Sequence, residues 1–132
     1  MPDCRFVVLR DKDAGDCYII KDRLLTRCRE GGREDVLIRI ACRELESWYL
    51  GDLLAVATAM NIRKVADWQN NHKYRNPDAL DNPLQELVRL APTYQKIAGS
   101  RELGKVMDPQ CNRSHSFKVF MHGIFRILGK SI

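Results

Sequence analysis

The sequence predicts an α/β chain: a small parallel sheet in its first half and helices alone in its second. Three observations predict it. Arg5–Arg10 (RFVVLR) and Val36–Cys42 (VLIRIAC) are short apolar runs rich in β-branched residues, with the length and composition of buried strands. Between them Cys17, Ile20, Leu24 and Cys28 recur at helical spacing. After residue 60 the segments read as helices and polar loops. A strand, a crossover helix and a second strand make the two strands parallel.

The elements follow in order. The first strand ends abruptly in Asp11-Lys12-Asp13-Ala14-Gly15-Asp16. Asp13 or Asp16 caps a helix over about residues 16–29, and Gly31-Gly32 stops it. The second strand runs into Arg43-Glu44-Leu45-Glu46-Ser47-Trp48, from which a helix is expected to continue through Leu53–Met60. On that helix Glu44, Trp48 and Asp52 would share a face. Ile62–Trp68 reads as a short helix, and Gln69–Pro83 as a polar loop with one helical turn. Leu84–Leu90 is helical, and so is Tyr94–Met107, with an interruption near Gly99. Ser114 or Ser116 caps a last helix, whose Phe117, Phe120, Met121, Ile124 and Leu128 form a core-facing stripe. Trp68 is read as core and Tyr74 as exposed, while Trp48 and Tyr49 pack beside the acidic segment.

With 132 residues, 45% apolar and 30% charged, the chain reads as one domain able to bury a core without staples. Residues 1–60 form an acidic α/β part and residues 61–132 a basic helical part. The first carries ten Lys/Arg against eleven Asp/Glu, whereas residues 101–132 carry six against two. A basic rear suits a polyanion such as nucleic acid, or simply aids solubility. The longest apolar runs fall far short of the ~20 residues a membrane span needs. The five cysteines are odd in number, hold no CxxC pair and accompany no export signal, which points to reduced thiols in the cytoplasm. Two parallel strands make a poor sheet. Flanking helices, a strand from a second copy in a homodimer, or a missing earlier segment would each complete it.

Asp11 and Asp13 sit two apart at the carboxyl end of a strand, so period two puts both on one side of the chain. Ligand sites of open α/β sheets lie outside the carboxyl strand ends. Carboxylates there suit Mg²⁺ or Mn²⁺, held by one or two of them together with substrate oxygens. Glu44 and Glu46 follow the second strand and reach the same rim; if a helix has begun by Glu44, only one of the two joins. The alternative is a solvated turn with Asp capping the next helix. In the rear, Ser114 and Ser116 open a helix whose Lys118 and His122 share one side with His115. Free N–H groups and hydroxyls there can take phosphate, or serve as an ordinary cap.

The runs VVLRDKDAGDC and IACRELESWYLGD, then Tyr94-x-Lys96 and Asn112-x-Ser114-x-Ser116-Phe117, resemble in order, over nearly the whole chain, an uncharacterised domain family numbered 4276. That family resembles the Toprim fold of topoisomerases, primases and OLD-type nucleases. It is often encoded beside ABC-like ATPases, in settings that suggest defence against foreign DNA. The resemblance implies a Toprim-like βαβα core with a short parallel sheet, followed by an all-helical C-terminal half. It implies Asp11, Asp13 and Glu44 as metal ligands, and Glu44, Glu46 and Lys96 (of the Y-x-K element) as catalytic residues. Ser114, Ser116, Lys118 and His122 would hold phosphate or nucleic acid. Toprim domains carry an acid/base Glu after an earlier strand. This chain starts at the D-x-D strand, so the implied core is incomplete at its N-terminus.

Three functions follow as expectations. One is Mg²⁺-dependent, nuclease-like processing of nucleic-acid phosphodiesters, in a defence system with an ABC-type ATPase partner. Another is a non-catalytic module that binds nucleic acid or the ATPase. A small-molecule phosphohydrolase using the same acidic rim is the third.

Overall fold

The computed structural model describes residues 4–130. Strand β1 is Phe6–Asp11, helix α1 is Cys17–Glu30 and strand β2 is Val36–Ala41. The strands pair in parallel from Phe6 opposite Val36 to Asp11 opposite Ala41. The fold is therefore mixed α/β, with a two-stranded parallel sheet. Asp16 begins α1, its carboxylate accepting the N–H groups of Tyr18 and Ile19 at 2.9 and 3.2 Å. Gly31 ends it, and Gly32 follows at φ +82°, a backbone that glycine adopts without strain.

After the sheet the regular elements among the described residues are helices: α2 (Glu46–Leu50), α3 (Leu53–Met60), α4 (Pro83–Leu90), α5 (Lys96–Val106) and α6 (His115–Ile127), with 3₁₀ turns at Val65–Trp68 and Pro77–Ala79. The helix expected from Glu44 through Met60 is broken. Asp52 leaves helical geometry and caps α3 through Ala55 N–H at 3.1 Å, while its other oxygen accepts Asp108 N–H at 2.9 Å. Gly51 sits against the 112–114 segment, where an added β-carbon would stand 2.1 Å from Asn112 Oδ1. The break is the seat for that segment, and it removes the shared face expected of Glu44, Trp48 and Asp52.

Other expectations shift for equally local reasons. Gly99 does not interrupt α5. It lets the Tyr94 ring approach, at 2.4 Å from a notional β-carbon. Ile62–Trp68 yields only the 3₁₀ turn. Tyr74 is buried because its hydroxyl accepts Arg89 Nη2 at 2.7 Å and donates to Glu86 Oε2 at 3.1 Å. Trp68 stays exposed. Leu128, the last residue of the predicted apolar stripe, caps α6 and is exposed.

The main core lies among the helices. Leu50, Leu53, Val56, Val65, Leu87 and Leu103 are fully buried there, beside Tyr49, Tyr74 and Tyr94. A smaller cluster of Ala41, Trp48 and Phe117, with Phe120 and Met121 against it, joins the end of β2 to α6. Trp48 meets Phe117 edge-on at 5.2 Å, a favoured aromatic arrangement. Strand β1 lies outside both clusters, with Phe6, Val7 and Leu9 exposed. The four cysteines 4, 17, 28 and 42 are half-buried free thiols, and Cys111 is exposed. Among the described residues no helix is long and apolar enough to cross a membrane.

Candidate active site at the carboxyl rim of the sheet

Pairing continues past the strand ends. Lys12 N–H donates to Ala41 O at 3.0 Å and Asp13 N–H to Arg43 O at 2.6 Å. The two loops are thereby laced together where they leave the sheet. Asp13 and Arg43 both adopt left-handed backbone, at φ 52° and 63°. Asp tolerates that conformation; an arginine there stores about 1–2 kcal/mol of strain. The turn at Arg43 leads the chain from β2 into Glu44 and Glu46, whose charges act on Asp11.

Asp11 is half-buried at the end of β1. Burial raises its pKa above the ordinary carboxylate value, and Glu46, Asp13 and Glu44 raise it further, against a lowering by the Leu45 backbone N–H. The fold therefore gathers all four predicted carboxylates at one rim. Glu46 is buried and accepts the Tyr94 hydroxyl at 3.2 Å. Burial pushes the Tyr94 phenol well up, as do Glu46 and Tyr49, while Ser100 opposes the shift through a hydrogen bond. Glu44 Oε2 accepts Leu84 N–H at 3.1 Å, capping the first turn of α4 from forty residues away. Asp13 is exposed.

The fit to a divalent cation can be judged from this donor set. The donors are hard oxygens, and a cation would relieve the mutual repulsion that Asp11 feels. Yet among the described residues no three His, Cys, Asp or Glu side chains converge to hold an ion. The carboxylates are close enough for electrostatics and too dispersed for a closed cage. What the rim offers a cation is at most one or two carboxylates, which leaves the remaining ligands to water or a bound molecule.

Lys96 is the first residue of α5 and is exposed, two residues beyond the Tyr94 that touches Glu46. The N-terminus of α6 is engaged internally. Ser114 Oγ accepts Phe117 N–H at 3.2 Å and donates to Asp78 Oδ1 at 2.7 Å, and Ser116 N–H donates to Asp78 Oδ2 at 3.0 Å. The Asp78 carboxylate thus stands where a phosphate was expected. Ser116 Oγ accepts Trp48 Nε1 at 2.7 Å and Cys42 N–H at 3.2 Å. Asn112 Nδ2 donates to Trp48 O at 2.8 Å, and its Oδ1 accepts Ser114 N–H at 2.8 Å. The N-x-S-x-S segment is a staple between α2, β2 and α6. Lys118 and His122 are exposed and line a shallow depression with Pro109, Gln110 and Met121.

Asp78 holds Ser114 and Ser116, and Tyr94 holds Glu46; sequence reasoning gave neither that role. Asp78 lies in a polar loop with no local signal. The Tyr94 contact is long-range, although its neighbour Gly99 marks the close approach. No curated protein and no solved structure matches the chain. A family-level match covers residues 1–124, nearly the whole chain, and so the chain belongs to the domain of unknown function family DUF4276.

Proposed function

We propose that this protein is a Mg²⁺-dependent, nuclease-like protein acting on nucleic-acid phosphodiesters at the carboxyl rim of its sheet. The observation that carries the reading is the gathering of Asp13, Glu44 and Glu46 about the half-buried Asp11 at one strand-end rim, where burial raises the Asp11 pKa and the neighbouring carboxylates add to it. Groups so perturbed cluster at functional sites. Asp11 and Asp13 would hold the cation, with Glu44 beside them. A bound Mg²⁺ supplies Lewis acidity toward a phosphoryl oxygen. Glu46, fixed by Tyr94, orients a water. Lys96, projecting from the start of α5, holds a phosphate. The Toprim resemblance supports the same chemistry; an ABC-type ATPase partner and a role in DNA defence belong to the same proposal.

The test is cleavage of end-labelled single- and double-stranded DNA and RNA in Mg²⁺ or Mn²⁺. Metal-dependent products are expected from the wild type and none from Asp11→Asn, with Lys96→Ala reduced at least about tenfold. Equal cleavage by wild type and Asp11→Asn would sink the reading.

A second reading has its own observation. Glu44 caps a helix and Glu46 bonds to Tyr94, roles that a structural carboxylate fills without any reaction. On that reading the chain is a binding module, and the same assay gives no products while binding persists.

A further inference from the structure

A groove runs between α1 and α6 alongside β2. Its walls carry Lys12, Lys21, Arg39 and His115 together with Tyr18 and Val119, and no Asp or Glu side chain lines it. The sequence placed the positive charge in the rear helices. The structure instead brings three cations from the acid-balanced first half to face the His115 imidazole of α6. Tyr18 is 80% exposed and Val119 40%, so the groove presents an aromatic ring and an aliphatic surface between its cations.

The charges are not cancelled from within. Among the described residues Lys12, Lys21 and Arg39 make no ion pair. Arg39 is half-buried and, among the described residues, donates to carbonyls: Nη1 to Ile38 O at 2.9 Å and Nε to Val119 O at 3.4 Å. Burial and the nearby Arg126 both press its pKa down, a cost that a bound anion would offset. The carboxylate that bears on the groove's upper end, Asp78 beside Cys42, is held by Ser114 and Ser116. Lys12 is bonded between Asp11 and Asp13, so the groove's upper end adjoins the acidic rim, whose carboxylates do not line it.

From this juxtaposition we infer that the α1–α6 groove binds single-stranded nucleic acid, its phosphates on Lys12, Lys21 and Arg39 and a base against Tyr18. Cations that track a backbone beside an aromatic ring are what sequence-tolerant strand binding uses. An acidic peptide would meet the same cations but would leave Tyr18 and Val119 without the flat apolar partner that a base provides. The inference rests on the nucleic-acid reading above and names the path by which a strand reaches the rim.

The test is fluorescence anisotropy of a labelled oligothymidine of about 16 nucleotides, titrated with the whole chain in EDTA at several salt concentrations. Working without metal separates the groove from the rim. Wild type should bind. Lys12→Gln/Lys21→Gln should bind at least about tenfold more weakly, with a salt slope shallower by about 1.4. Tyr18→Ala, an exposed position whose truncation spares the core, should lose about fivefold or more. Absence of wild-type binding would overturn the groove. So would a Lys12/Lys21 variant that folds by circular dichroism and keeps wild-type affinity and slope. Displacement of the oligonucleotide by polyglutamate at equal charge would overturn it in favour of an acidic protein partner. Strand binding without metal-dependent cleavage would uphold the groove and remove the proposed chemistry.

Discussion

The Trp48 indole donates its N–H to the Ser116 hydroxyl at 2.7 Å, and across that bond α2 is tied to the first turn of α6. The same oxygen receives Cys42 N–H from the end of β2. Ser116→Ala would leave two donors without this acceptor. Buried unpaired donors cost about 1–3 kcal/mol, and a loss of that size is expected in urea unfolding. Ser116→Thr should retain most of the stability.

Gly51 is required by packing rather than by backbone conformation, its φ being −75°. A β-carbon there meets Asn112 Oδ1 and the Ser114 backbone nitrogen, at 2.1 and 2.9 Å. Overpacking of this kind costs about 1–3 kcal/mol or more. Gly51→Ala should lower the thermal midpoint clearly, while Gly104→Ala, where a β-carbon meets nothing within 4 Å, should raise it slightly by helix propensity.

Arg43 holds left-handed backbone at φ 63° and pairs only at the surface, with Asp81 at 3.2 Å. Exposed pairs contribute little. Arg43→Gly should therefore stabilise the protein by about 0.5–1 kcal/mol, through relief of strain offset by unfolded-chain entropy. Measured stability below wild type would mean that the arginine side chain has a further role at the rim.

Glu86 governs part of the acid limb. Burial pushes its pKa up, but hydrogen bonds from Lys73, Arg89 and Tyr74 outweigh that and hold it below its ordinary 4.5. A depressed acid stabilises above its unfolded pKa, and that contribution is lost as the pH falls through the depressed native value. Stability should decline below about pH 4.5. Glu86→Gln should flatten the decline and cost about 1 kcal/mol at neutral pH, after discounting for solvent screening.

How much of this was legible in the sequence depends on the range of the contact. The βαβ start was legible because β-branched runs, helical periodicity and the Asp16 cap are local. The convergence of Asp11 with Glu44 and Glu46 was legible because parallel strands must end at the same rim. The Gly51–Asp52 break was not, since it exists only to seat Asn112 from sixty residues further on. The exchange between Trp68 and Tyr74 has the same origin: Tyr74 is buried by a polar cluster that forms only once α4 is in place. Asp78 occupies the α6 N-terminus across a long loop, which nothing local announces.

Asp11 carries the central claim. Its raised pKa means that its contribution to stability is full below the ordinary value of 3.8 and is lost as pH rises through the raised native value. Asp11→Asn should therefore raise the thermal midpoint at neutral pH while it weakens metal binding. The most direct measurement is a calorimetric Mn²⁺ titration of wild type beside the Asp11→Asn/Asp13→Asn variant. The account predicts saturable binding by the wild type and none by the variant, with circular dichroism unchanged. Equal binding by both, or none by either, would contradict a metal site at the carboxyl rim.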